Sequence, residues 1–343
     1  MSIKVIHPGL ATAVQDLGRK GYFHLGIPVS GAMDRFACRC ANWLVGNDGN
    51  AAVLEAVFMG PKLEFSTGCT VAVTGAEMTP MVDGVAQENW TSFHVEAGQT
   101  LTFSHLTAGA RIYIAVSGGI DVPEVLGSRS TYTLGALGGF EGRPIQEGDS
   151  LPVTDLSAPK QSNAKENSAF VRRHLPATLR RNAVNSNSSS TALRVVTGLY
   201  WHRITEASGK QFFAEEWQVA PEADRIGYRF KNGTPLEFIE RDQPFGAGSD
   251  PSNIVDGCYP YGSIQVPAGK EPIVLHRDAV SGGGYFMIGT VISTDMDLIG
   301  QMQPNATTQF VEVSMEDALS ARRDHQALLD AAKQHIEQSG VSQ

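Results

Sequence analysis

Three polar, glycine-rich stretches of this 343-residue sequence gather the side chains best suited to chemistry. The first, Val14 to Asn47, holds Asp16, Arg19, His24, Ser30, Gly31 and Asp34. The second runs Val116-Ser117-Gly118-Gly119-Ile120-Asp121 and continues through Gly127-Ser128-Arg129-Ser130-Thr131-Tyr132. The third runs from Gly257 to Val266 and resumes at His276-Arg277-Asp278, ending in Gly283-Gly284-Tyr285. An arginine can grip a carboxylate through two parallel hydrogen bonds, and an aspartate beside that grip is a candidate base. Glycine lets the backbone approach a ligand and present N–H groups to an oxyanion. Each stretch alone is equally what the turns of a glycine-rich β fold look like, its arginine held in a structural ion pair. Three together favour a site for a small anionic ligand.

Elements must position these residues. Met33, Phe36, Ala37, Cys40, Ala41 and Leu44 recur at helical spacing, with Arg35, Arg39 and Asn42 on the other side. Ser30 is a candidate N-cap and Gly46 a left-handed stop. Free N–H groups at Ser30-Gly31-Ala32 would then make an anion site. Elsewhere in the first half, short strand-like runs dominate: Ser2–Ile6, Lys62–Phe65, Thr70–Thr74, Met81–Val85, Ser92–Val95, Thr100–Phe103 and Arg111–Val116. Asp83-Gly84 suits a tight hairpin. The spacing predicts a β-barrel or sandwich over 1–152, with the helix plugging one end.

Residues 153–191 are polar and low in complexity, apart from the basic pairs Arg172-Arg173 and Arg180-Arg181. Such sequence buries too little to offset its ordering entropy, so it reads as a linker. Strand patterns return over 192–313, at Leu193–Val196, Gln218–Ala220, Ile264–Val266, Ile273–His276, Met287–Ile292 and Thr308–Val313. A second β-barrel domain is expected there, and a charged amphipathic helix over 314–343 that opens with a capping box, Ser314 and Asp317. The halves also share wording. Gly60-Pro61-Lys62-Leu63-Glu64-Phe65 echoes Gly233-Thr234-Pro235-Leu236-Glu237-Phe238, and Ala115-Val116-Ser117-Gly118-Gly119 echoes Ala279-Val280-Ser281-Gly282-Gly283. Duplication of one β domain, with a cleft between the copies, would explain the echoes.

Composition narrows the function. A formal charge of -9 argues against a general nucleic-acid binder, which needs a basic face. No apolar run is long enough for a membrane span and the N-terminus lacks a signal-peptide core, so a cytoplasmic protein is expected. Four cysteines without a C-x-x-C pair read as reduced thiols. The nine histidines show no metal-ligand spacing, so no metal is expected. There is no Walker A pattern, no G-x-S-x-G elbow and no Ala-Met-Lys-Met core for covalent biotin.

The stretch Val14 to Asn47, with YIAVSGGIDVPEVLGSRSTY at 113–132, GGFEGR at 138–143 and EGDSLP at 147–152, resembles the allophanate hydrolase subunit 2 family. That family contains the C component of 5-oxoprolinase, the antagonist of a sporulation-kinase inhibitor (KipA) and the carboxyltransferase part of urea carboxylase. Asp224-Arg225-Ile226-Gly227-Tyr228 and Gly262-Ser263-Ile264-Gln265-Val266-Pro267 match as well. The resemblance implies a mainly β chain of two cyclophilin-like barrels. It also implies a complex with a KipI-like protein (the B component) and a further, A-type component, which together open 5-oxoproline to glutamate at the expense of ATP. The nucleotide site is not located in this chain.

On that basis Asp16, Arg19 and Asp278 are assigned catalytic roles. Arg129, Ser130, Ser30, Gly31, Gly118 and Gly119 are assigned to substrate binding from the first half. Ser263, Gln265, Gly283, Gly284, Tyr285, Arg225 and Tyr228 are assigned to it from the second. The second half departs from the family pattern twice. Thr197-Gly198-Leu199-Tyr200-Trp201 stands where relatives show Gly-Pro-Gln, and Val280, Ser281, Gly282 and Phe286 replace Gln, Thr, Thr and Pro. Two alternatives therefore stay open: a regulatory module that binds a kinase-inhibitor-like partner, and a carboxyltransferase served by biotin from another chain.

Overall fold

The computed structural model describes residues 1–154, 170–181 and 190–340. They fall into two compact units: Met1–Arg19, Ser30–Ala183 and Gln326–Gln343 in the first, Lys20–Val29 and Val184–His325 in the second. No helix among the described residues is long and apolar enough to cross a membrane.

The first unit contains, in chain order, β1 (Ser2–His7), β2 (Ala13–Gln15), α1 (Arg35–Leu44), β3 (Val53–Val57), β4 (Lys62–Phe65) and β5 (Cys69–Glu77). It continues with β6 (Pro80–Val82), β7 (Val85–Ala86), β8 (Ser92–Val95), β9 (Thr100–Phe103), β10 (Ala108–Val116) and β11 (Ser150–Pro152). Pairing gives two sheets, β11-β1-β4-β9-β6-β7 and β2-β3-β10-β5-β8. Ile3, Val5, Leu63 and Phe65 of one sheet share a fully buried core with Leu54, Val73, Ile112 and Ile114 of the other. Each such side chain contributes roughly 1.5–3 kcal/mol. The hairpin β6–β7 turns at Asp83 and Gly84, with φ of 47° and 83°, as a two-residue left-handed turn requires.

The helix expected to plug a barrel end instead covers the outer face of the five-stranded sheet. Phe36, Ala37, Cys40, Ala41 and Leu44 pack on Val53, Ala72, Tyr113 and Ala115, and the Thr74 hydroxyl donates to the Ala37 carbonyl at 2.7 Å. All nine residues of β10 are therefore buried. The cap is Asp34 and not Ser30: its Oδ1 accepts from the Ala37 N–H at 2.9 Å. Ser30, with φ of 53°, belongs to a turn upstream. Asn42, expected to face away, is buried and donates to the Ala51 carbonyl. Gly46, at φ 80°, closes the helix, its N–H on the Trp43 carbonyl and that of Asn47 on the Asn42 carbonyl.

Part of the expected linker is built into this unit. The Ser92 N–H donates to the Arg173 carbonyl and Leu175 is fully buried beside α1; 155–169 and 182–189 lie outside the described residues.

The second unit begins with β12 (Thr191–Thr197), α2 (Glu206–Ala214), β13 (Glu216–Val219), β14 (Gly227–Lys231), β15 (Asn253–Cys258) and β16 (Ser263–Gln265). It ends with β17 (Ile273–Leu275), β18 (Gly282–Tyr285), β19 (Met287–Val291), α3 (Met296–Ile299) and β20 (Thr307–Glu312). Seven strands close a barrel in the order β12-β19-β16-β17-β14-β13-β20, sealed by parallel pairing of β12 with β20. The remaining two, β15 and β18, form a separate ribbon. The chain is thus mainly β, as expected.

The echoes do not fold alike. Gly60–Phe65 leads into and forms β4, whereas Gly233–Phe238 makes a single bridge, Phe238 to Ile204. Shared wording here does not mean shared structure.

The last element, α4 (Met315–Ser339), opens with the expected capping box. The Ser314 hydroxyl accepts from the Asp317 N–H at 3.1 Å while the Asp317 carboxylate accepts from the Ser314 N–H at 3.2 Å. Leu329, Ala332 and Ile336 of its far half join the core beside α1, and Leu319 stays exposed.

Candidate functional site

In the first unit the buried Asp16, at the end of β2, ties two loops together. Its Oδ1 accepts from the Gly18 N–H at 2.7 Å, from the Ser128 hydroxyl at 2.7 Å and from the Ser130 hydroxyl. Its Oδ2 accepts from the Arg129 N–H at 2.6 Å. Four donors thus meet the roughly four lone-pair positions of one carboxylate. This arrangement orients loops.

Arg19 is 1% exposed and donates through Nη2 to the Ser130 carbonyl. Gly138 lies so close beneath it that a Cβ there would stand 2.5 Å from Nη2. Gly31, at φ 88°, packs on the Leu17-Gly18 backbone, where a Cβ would come within 2.6 Å of the Gly18 nitrogen. The anion site expected at Ser30-Gly31-Ala32 is not formed by a helix end: the Ala32 N–H donates to the Asp16 carbonyl at 2.8 Å. Just downstream, Met33 and Asp34 are pinned through their N–H groups to Glu55 and the Tyr113 hydroxyl.

Asp16, Arg19, Gly31, Ser128 and Ser130 are therefore brought together, and the Arg129 backbone joins them. The Arg129 side chain binds elsewhere, with Nε on the Val122 carbonyl and Nη1 on Glu124, both at 2.8 Å. Gly118 and Gly119 serve another junction: the Gly118 N–H donates to Asn47 Oδ1 and that of Gly119 to the Val116 carbonyl.

In the second unit Arg225 grips Asp278 through Nε at 2.8 Å and Nη2 at 3.4 Å, and the Asp278 N–H returns to the Arg225 carbonyl. This clamp fixes the loops on either side of a cavity of about 770 Å³. Alternation explains the cavity wall. Along β14, Gly227, Arg229 and Lys231 line it while Tyr228 and Phe230 are buried on the opposite face. Along β17, Ile273 and Leu275 line it while Val274 is fully buried. Gln265 of β16 and Tyr285 of β18 complete the wall, with Glu222, Asp224 and Glu271 also lining the cavity.

Tyr285 is fixed by Tyr259, whose hydroxyl accepts from the Tyr285 N–H at 2.7 Å and donates to its carbonyl at 2.8 Å. Burial pushes the Tyr259 phenol above its ordinary pKa, against the pull of the Tyr285 N–H and the Gln265 side chain. Gly283 and Gly284 allow the ribbon to close, since a Cβ on either would meet the Tyr259 ring or the Ile254 carbonyl at about 3 Å. Tyr228 is buried, its hydroxyl 3.5 Å from the Met302 carbonyl, and the Ser263 hydroxyl donates to the Pro260 carbonyl at 2.6 Å.

Of the residues assigned from sequence, Gln265 and Tyr285 face the cavity and Arg225 and Asp278 brace it. Arg229 and Lys231, its cations, were not among the assigned residues. The alternation of Gly227-Tyr228-Arg229-Phe230-Lys231 is the signal that marks them.

A family model described as carboxyltransferase domain, subdomain A and B, matches residues 25–312. The chain is 36% identical over 326 residues to the C component of 5-oxoprolinase from Escherichia coli (strain K12), spanning 94% of this chain and 95% of that protein. It is 32% identical to the urea amidolyase of Saccharomyces cerevisiae, over 94% of this chain and 17% of that much longer protein. The crystal structure of the K. lactis urea amidolyase matches with a TM-score of 0.87 and 32% identity, over 96% of this chain and 20% of that one. A match that takes in most of the first unit and the whole closed barrel leaves one conclusion: the chain belongs to the carboxyltransferase-domain family, with both subdomains A and B.

Proposed function

We propose that this chain is one component of an ATP-dependent 5-oxoprolinase, which opens the lactam of 5-oxoproline to glutamate in a complex with a KipI-like B component and an A-type component. The observation that carries the reading is the end-to-end match to the C component of a 5-oxoprolinase, 95% of that protein against 17% of the yeast urea amidolyase.

The cavity of the second unit suits such a substrate. Arg229 and Lys231 supply charge for its carboxylate. The Tyr259 hydroxyl gives its own proton to the Tyr285 carbonyl, so the Gln265 amide reaches it as a donor. That leaves the Gln265 carbonyl to accept a lactam N–H. Arg225 and Asp278 hold the rim in register, and the Asp16 cluster does the same for the loops of the first unit. ATP supplies the driving force to the complex by activating a poor electrophile. Glu222, Asp224 and Glu271 would repel a triphosphate in this cavity, so the cavity is assigned to the lactam and not to the nucleotide.

The test combines the purified chain with its partner proteins and follows ADP release that depends on 5-oxoproline. Omitting this chain abolishes turnover, and Gln265→Leu raises KM. Turnover that continues at full rate without the chain refutes the assignment. The likeness to the urea amidolyase structure favours a second reading, transfer of a carboxyl group from biotin borne by another chain. That reading predicts stimulation by a biotinyl protein and no response to 5-oxoproline.

A further inference from the structure

Outside the cavity, two arginines of the second unit lie on neighbouring extended segments without an acidic partner. Ile204 bridges Phe238 in antiparallel fashion. The pairing is extended on either side, from the Thr205 N–H to the Glu237 carbonyl and from the Ile239 N–H to the Arg203 carbonyl, both at 2.9 Å. In that register Arg203 stands opposite Ile239, and Arg241 is its diagonal neighbour on the same side, within reach of a long side chain.

The Arg203 guanidinium lies over the Tyr200 ring, 4.6 Å from its centroid. Its Nη1 is buried and has no hydrogen-bond partner. Arg241 is anchored by one bond, from Nη2 to the Asn253 carbonyl at 3.2 Å. Neither guanidinium forms an ion pair with a carboxylate among the described residues. Glu240 and Asp242 flank Arg241 in sequence, but strand alternation points them the other way. Burial first, and then the neighbouring Arg241, pull Arg203 below the ordinary arginine pKa. Two like charges held together disfavour each other unless an anion is shared between them.

We propose that Arg203 and Arg241, mounted on the Tyr200 ring, form a binding site for a phosphoryl oxyanion. Each planar fork offers parallel N–H donors suited to such oxygens. A tetrahedral dianion can satisfy both forks at once, whereas a single carboxylate neutralises only one. The buried Nη1 gains the acceptor it lacks, and the stacked ring holds the fork in place before the ligand arrives. The site rests on these residues alone and stands or falls independently of the lactam reading.

The test is titration calorimetry on the full chain with inorganic phosphate, ADP and ATP, against chloride at matched ionic strength to remove general screening. The variants are Arg203→Gln, Arg241→Gln and the charge-retaining Arg203→Lys, with Arg172→Gln, an exposed arginine of the first unit, as control. Losing one charge-assisted fork is expected to weaken phosphate binding about tenfold or more. Arg203→Lys should fall between, and Arg172→Gln should bind as the parent does. Equal binding of inorganic phosphate and nucleotide marks free phosphate as a sufficient ligand; binding of nucleotide alone marks a phosphoryl group carried on a larger molecule. Failure of all three ligands to bind the parent chain overturns the proposal, and so does unchanged affinity in both glutamine variants. Arg203→Lys keeps the test valid should Arg203→Gln fail to fold.

Discussion

Asp16→Asn separates an orienting carboxylate from a reacting one. The substitution preserves shape, and the amide can still present its oxygen to Gly18, Ser128 and Ser130. Its NH2 group must then face the Arg129 N–H, which now bonds Oδ2 at 2.6 Å. One charge-assisted bond is lost, at about 1.5–3 kcal/mol, and a buried N–H is left facing another donor, at about 1–3 kcal/mol. The bonds that remain weaken as the acceptor loses its charge. Because the two penalties overlap, about 3 kcal/mol is expected.

Urea unfolding resolves this: with a slope of about 1–3 kcal/mol per molar, the midpoint of the affected transition should fall by about 1 M or more. The chain has two compact units, so that transition must be assigned. Amide exchange at Ser128–Thr131 does so, because those amides should lose protection while the barrel strands keep theirs. Turnover of the assembled complex should then recover in step with the folded fraction. If the midpoint moves by less than about 0.3 M while turnover collapses, Asp16 is a reacting group and the account given of it is wrong.

Three further outcomes follow. Asp149 accepts from Arg143 through both Nη groups and from the Gln146 N–H, and these hold its carboxyl below the ordinary value of 3.8. A depressed folded-state pKa adds stability that is complete above the unfolded value and lost as the pH falls through the folded one. Asp149→Asn should therefore flatten the acid limb of the stability curve below pH 3.8 and leave its shape near neutrality unchanged; an unaltered acid limb would count against the pair. Of the four cysteines only Cys258 is exposed, whereas burial raises the thiols of Cys38 and Cys40 and pushes Cys69 up to about 12. A thiol reagent should label one cysteine in the native chain and four in denaturant, and two fast native thiols would contradict the packing beside α1. Ser314→Ala removes one half of the capping box, so amide exchange should quicken over the first turn of α4 and not beyond Ala321; uniform exchange along the helix would show that the box does not set its start.

Strands that alternate above a single core were legible: β4, β8 and β9 fall where the pattern places them. Alternation fails where a strand is covered on both sides, and only the second part of β10 announced itself, because α1 buries the face that would otherwise have been polar. It fails again on the ribbon β15–β18, whose glycines are selected by the approach of the Tyr259 ring and the Ile254 carbonyl and not by burial. The cap of α1 was misplaced because Ser30 and Asp34 are both good capping residues. Their backbone geometry decides between them, Asp34 being extended and Ser30 left-handed.

The misplaced site residues share one cause. Asp16, Arg19 and Asn42 carry groups whose partners are backbone atoms of other segments, such as the Arg129 N–H, the Ser130 carbonyl and the Ala51 carbonyl. A sequence shows that a side chain can donate or accept, but not which remote peptide group will meet it. The cations of the cavity differ in kind. Arg229 and Lys231 were readable from the alternation of one short strand, and the mechanism they support depends on that strand keeping Tyr228 and Phe230 inside. A change that shifts β14 by one residue would turn both cations inward and both aromatics outward, so the register of β14 with β17, Gly227 opposite Leu275, is what sets the charge of the cavity.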